Sequence, residues 1–69
     1  MLDEQKLNLE VRRLLKRFGV GAQREIEKAV GEAVRTGALS GDEGLEAKVT
    51  LDIPSIGLRF QVEDTIQLS

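Results

Sequence analysis

Sixty-nine residues make one small domain, and a chain of this length buries only about 60% of the surface that its unfolded form exposes. It contains no cysteine and no histidine, which excludes disulfides, thiolate metal sites, the commonest metal ligand and the usual general base. A net charge of −2 and a sequence pI near 5.0 argue against a general nucleic-acid binder, and Phe18 and Phe60, the only aromatics, offer little for base stacking.

At 41% hydrophobic and 32% charged, the chain reads as globular rather than disordered. Met1-Leu2-Asp3-Glu4-Gln5 is acidic where a secretion signal needs positive charge. No apolar run approaches the roughly 20 residues of a membrane span. The expected compartment is the cytoplasm, and no membrane span is expected. With no covalent or metal staple available, association with a second copy or with another protein is the remaining way to bury more apolar surface.

The first periodic segment carries Leu7, Val11, Leu14, Leu15 and Phe18 in one stripe of a 3.6-residue period. Asp3 and Glu4 precede it, and Arg13, Lys16 and Arg17 lie near its end, which suits the helix dipole. Gly19 follows where a left-handed C-terminal residue belongs. A helix is predicted from about Asp3 to Phe18.

Ala22, Ile26, Ala29, Val30, Ala33 and Val34 form a second stripe, ended by Gly37. Its other side is mixed in sign, with Glu25–Lys28 and Glu32–Arg35 spaced to support a helix weakly. Gly31 falls on that outer face at a cost of about 1 kcal/mol relative to Ala. The start lacks a cap, because Gly21 and Ala22 have no side-chain oxygen. This second helix is predicted over about Ala22 to Thr36, with Gly19-Val20-Gly21 as the turn of a helical hairpin.

After a loop over 37–44, rich in Gly, Asp and Ser, the period changes to two. Leu45, Ala47, Val49, Leu51 and Ile53 alternate with polar residues, giving a strand over about 45–53 with one wet face. A second alternation, Leu58, Phe60, Val62, Ile66 and Leu68, predicts a strand over about 58–68. Asp64 interrupts its apolar side, which suggests a bulge or bend there.

Charge decides the register of this hairpin. A two-residue loop would oppose Glu46 to Glu63. A four-residue loop, Pro54 to Gly57, pairs Leu51 with Phe60 and Val49 with Val62, and sets Asp52 opposite Arg59 and Lys48 opposite Glu63. Opposite charges across a strand pair help by about 0.2–1 kcal/mol, and Gly57 can supply the positive φ that the longer loop needs. The expected fold is therefore α+β, a two-helix hairpin followed by an antiparallel β-hairpin (ααββ), in a single domain over 1–69. The helix stripes are the expected cover for the apolar face of the hairpin, since a two-stranded sheet is marginal alone.

Catalytic chemistry finds little footing. Ser40, Ser55 and Ser69 lie in loops or at the end of the chain, with no histidine to activate them. Glu25, Glu27 and Glu32 sit among Arg24, Lys28 and Arg35 on a solvated helix face. Asp42 and Glu43 lack the ligand spacing of a calcium loop, and Gly19 and Gly21 lack the strand and lysine of a phosphate loop. No cofactor, metal or catalytic residue is expected, and the chain reads as a non-enzyme.

The strongest surface feature is a basic face on the first helix. Lys6, Arg13, Lys16 and Arg17 lie together away from the apolar stripe, with Leu2 and Leu9 between them, a surface suited to a protein partner. A helix-turn-helix arrangement with Arg24 and Lys28 early in the second helix is the alternative, a small nucleic-acid-binding regulator. It lacks a third helix, and it presents Glu25, Glu27 and Glu32 where phosphates would lie.

The run Gln23-Arg24-Glu25-Ile26-Glu27-Lys28-Ala29-Val30, after Phe18-Gly19-Val20 and before Ala47-Lys48-Val49-Thr50-Leu51, resembles a family of short bacterial proteins defined only as a domain of unknown function. The resemblance extends over nearly the whole chain. Where its members cap the second helix with Ser or Thr, this chain has Gly21 and Ala22. The resemblance implies a bacterial, stand-alone, single-domain protein, and no activity or site residue. The functional expectation is a non-enzymatic interaction or assembly module that associates with itself.

Overall fold

The computed structural model describes residues 1–69, in two units, Met1–Thr36 and Gly37–Ser69. The first is one uninterrupted helix, α1, Glu4–Arg35, 32 residues and about 48 Å long. The second is a hairpin of β1, Gly44–Ile53, and β2, Leu58–Gln67, joined by a 3₁₀ turn over Pro54–Ile56. The α+β class is as expected, but the helical hairpin is not formed: Gly19, Val20 and Gly21 lie inside α1.

Backbone accounting explains the difference. Breaking the helix at Gly19–Gly21 would leave about four carbonyls and four amides without helical partners, and no side chain at 21 or 22 can cap them. Carrying two glycines through the interior costs about 1 kcal/mol each. Neither glycine takes a positive φ, so neither acts as a terminator. No proline stands between Glu4 and Arg35 to force a break.

The true ends carry the signals that residues 19–22 lack. The Asp3 carboxylate accepts from the amides of Gln5 and Lys6, each at 3.1 Å, satisfying two orphan donors. At the other end Thr36 donates its amide to the Glu32 carbonyl, and Gly37 follows in the left-handed region at φ 85°.

In the hairpin the pairing is antiparallel, with Leu51 opposite Phe60, Val49 opposite Val62, Asp52 opposite Arg59 and Lys48 opposite Glu63. This is the register expected from charge and alternation. Gly57, at φ 66°, closes the four-residue loop and donates its amide to the Pro54 carbonyl at 3.0 Å. The bulge expected near Asp64 is absent: pairing runs unbroken through Ala47–Asp64 to Gly44–Gln67. Ala47 is small enough to leave the Asp64 carboxylate in water, where it accepts from the Thr65 amide at 2.7 Å. The strand ends at Gln67, one residue short of the expected boundary.

Neither unit forms a core by itself. No residue of the chain is buried. Along α1, Leu7, Val11, Leu14, Leu15, Phe18 and Ile26 are all exposed, at 42–53%. In the hairpin, Leu45, Ala47, Leu51, Ile53 and Ile66 are half-covered, and Val49, Phe60 and Val62 are exposed.

Candidate functional site

The continuity of α1 rearranges the surfaces read from the sequence. Lys6, Leu9, Arg13, Lys16 and Arg17 are all exposed on the helix, and Leu2 stands exposed two residues before it. Because the helix does not turn back, Arg24, Lys28 and Arg35 continue the same row. Lys6, Arg17 and Lys28 recur every eleven residues, as do Arg13, Arg24 and Arg35. Eleven residues are close to three turns, so the six lie within an arc of roughly 60°. Leu9 and Val20, also eleven apart, border this row, and Lys16 lies beside them.

Two members of the row are neutralised locally. The Arg13 Nε donates to Glu10 at 2.7 Å, and Arg35 is held by the Glu32 carboxylate through two donors. The Arg35 hydrogen bond lowers the Glu32 pKa, and the same contact raises that of Arg35. Both pairs are exposed and add little to stability. Lys6, Arg17, Arg24 and Lys28 have no salt-bridge partner.

The apolar stripe runs alongside this row and follows the same repeat. Leu7, Phe18 and Ala29 are eleven apart, as are Val11, Ala22 and Ala33. The stripe therefore holds its phase across Gly19–Gly21. A turn between two helices imposes no such phase, and this was the signal in the sequence for a single helix.

Charge divides between the two units. Residues 1–36 hold eight basic and six acidic side chains and residues 37–69 two and six, so the net −2 is the sum of +2 and −4. In the loop before β1, the Glu43 carboxylate accepts from the amides of Ser40 at 2.8 Å and Gly41 at 2.9 Å. These hydrogen bonds pull its pKa down to about 2. Asp42 accepts from the Ser40 hydroxyl. Both carboxylates serve the turn.

The loop serines serve their local turns. Ser40 is engaged with Asp42 and Glu43, and Ser55 lies in the 3₁₀ turn. No group of three metal-ligating side chains converges. The surface depressions are shallow and open, one across Glu46, Lys48, Glu63 and Thr65, another along Glu4, Gln5, Asn8 and Leu9. No helix is long and apolar enough to cross a membrane.

A capped, amphipathic single helix followed by a two-stranded hairpin defines a small α+β domain. Residues 2–69 match the family described as a family of unknown function (DUF6494), and the chain belongs to it. No curated protein and no solved structure matches the chain.

Proposed function

We propose that this protein is a non-enzymatic interaction module of the bacterial cytoplasm that assembles with itself through the apolar face of α1. The observation that supports this reading is a 32-residue helix on which Leu7, Val11, Leu14, Leu15, Phe18 and Ile26 stay 42–53% exposed, in a unit with no buried residue. A lone helix of this length with three interior glycines is marginal in water, because helical stability in proteins comes mainly from packing an amphipathic face. A second copy supplies an identical apolar face at no cost in new sequence, and closed symmetric dimers are the commonest assemblies.

Sedimentation equilibrium across a concentration series, at two salt levels, tests this. The wild-type chain is expected to dimerise or assemble further in the micromolar range. Phe18→Glu, which puts a charge in the middle of the stripe, is expected to weaken association at least about 100-fold, or roughly 3 kcal/mol. A wild-type monomer at high micromolar concentration overturns the proposal and directs attention to a foreign protein partner for the same face. Assembly undisturbed by Phe18→Glu places the interface elsewhere.

A second reading is favoured by the basic row. Six positive side chains over about 44 Å of continuous helix suit a polyanion backbone, four without a salt-bridge partner and two in exposed pairs with Glu10 and Glu32 that a phosphate would have to displace, and the helix unit is +2 although the chain is −2. Fluorescence anisotropy with a labelled duplex tests it. Binding that falls steeply between 50 and 200 mM salt, on the order of 10³-fold for six phosphate contacts, supports a nucleic-acid role. No binding at low salt ends it.

A further inference from the structure

We infer that two copies of α1 pair antiparallel about a two-fold axis at Val20, an inference that rests on the self-association proposed above. The apolar stripe is symmetric about that residue in spacing and complementary about it in size. Before Val20 it runs Leu7, Val11, Leu14, Phe18, and after it Ala22, Ile26, Ala29, Ala33, with steps of four, three and four residues on each side. Setting Val20 level with Val20 of a second copy brings Leu7 opposite Ala33, Val11 opposite Ala29, Leu14 opposite Ile26 and Phe18 opposite Ala22. In three of the four pairs a larger side chain meets an alanine, so knobs face holes along the seam. A parallel pair in register would instead stack Phe18 on Phe18 and Leu14 on Leu14 at one end and alanine on alanine at the other.

Charge selects the same orientation. In an antiparallel pair related by a two-fold, each edge of one stripe faces the same edge of the other. One edge of α1 carries Lys6, Glu10, Arg17, Glu25, Lys28 and Glu32. About Val20, Arg17 comes within about 3 Å of axial offset from the partner's Glu25, and Lys28 within the same offset of the partner's Glu10. Glu32 falls between the partner's Lys6 and the partner's Glu10, one attractive neighbour and one repulsive. The two-fold makes each contact twice. The other edge carries Glu4, Asn8, Arg12, Leu15, Gln23 and Val30, with its one acid at the start of the helix, so a parallel pair would set Arg17 and Lys28 against a cation and neutral residues. Antiparallel pairing also sets the basic N-terminal half of each helix against the neutral C-terminal half of its mate. The contacts that a helical hairpin would make within one chain are thereby made between two chains.

The chain lacks cysteine, so single engineered thiols can be spin-labelled without background. Under conditions where sedimentation shows a dimer, pulsed dipolar spectroscopy on Gln5→Cys is expected to give about 45 Å, because sites 5 and 5 lie 30 residue rises apart in the antiparallel pair. Val20→Cys, with no axial offset but on the side of α1 away from the stripe, is expected to give a shorter distance of roughly 25 Å, set by the width of the pair. A Gln5 distance near 20 Å in a dimer means parallel helices and overturns the inference while leaving self-association intact. A monomer without intermolecular dipolar signal overturns the self-association reading itself. Charge exchange provides a second measurement. Arg17→Glu is expected to weaken the dimer about tenfold, and Arg17→Glu with Glu25→Arg is expected to restore it. Failure of the double variant to recover affinity contradicts the Arg17–Glu25 contact and the register that makes it.

Discussion

Individual side chains in this protein act mainly on the backbone next to them. Asp3 ties down the first turn of α1, and Glu43 ties down the turn before β1 by accepting from two amides. Glu43 is the one carboxylate whose pKa falls as far as about 2, because its charged form is the form those amides bind. In the unfolded chain the same group titrates near 4.5. Its contribution is therefore complete above about pH 4.5 and is lost as pH falls through about 2. A carbon-detected NMR titration is expected to place the Glu43 midpoint near 2, with the amide resonances of Ser40 and Gly41 moving in step. A midpoint near 4.5 would mean that the turn is not held in solution. Both caps were open to sequence reading in part: Asp3 stood at the expected N-terminus, whereas Glu43 stood in a Gly-rich loop with no feature to mark it as an acceptor.

For the elements, the instructive contrast is between three glycines at turns or candidate turns. Gly57 is required by its conformation, since φ 66° costs about 1 kcal/mol or more for an L side chain. Gly19 and Gly21 are merely tolerated: a Cβ built at either meets nothing within 4 Å. The double variant Gly19→Ala with Gly21→Ala is expected to raise helicity by circular dichroism and to stabilise α1 by about 2 kcal/mol. A helical hairpin turning at these residues would respond in the opposite sense, with lost stability and a disrupted turn. The β-hairpin was legible almost to the residue, because side chains alternate strictly and charge excludes the competing loop. The exception is Asp64, where a polar residue on an apolar face suggested a bulge and the structure simply opposes it to Ala47.

For the molecule as a whole, the decisive fact is that neither unit buries a residue by itself. Folding free energy comes chiefly from removing apolar surface from water, and a chain that leaves its stripe exposed recovers little of it alone. If assembly supplies the missing burial, stability is tied to protomer concentration. The thermal midpoint of the wild-type chain is expected to rise with each tenfold increase in concentration, and that of Phe18→Glu to be lower and independent of it, as read by scanning calorimetry. A wild-type midpoint that ignores concentration would separate stability from self-association.

The sequence by itself determined the β-hairpin with its register, the place where the first helix begins and the amphipathic character of residues 4–35. Each is a local matter, settled by alternation, spacing or the presence of a residue type. The structure decided that residues 4–35 form one helix rather than two, an outcome that the glycines leave open and that only the unbroken phase of the stripe marks in the sequence. Glycine is ambiguous at short range, since the same residue ends a helix at Gly37 and is carried through one at Gly19 and Gly21. The choice turns on whether the freed backbone groups find other partners. At residues 19–22 they find none, so the hydrogen-bonded ladder continues, and the apolar face that a helical hairpin would have closed on itself stays exposed.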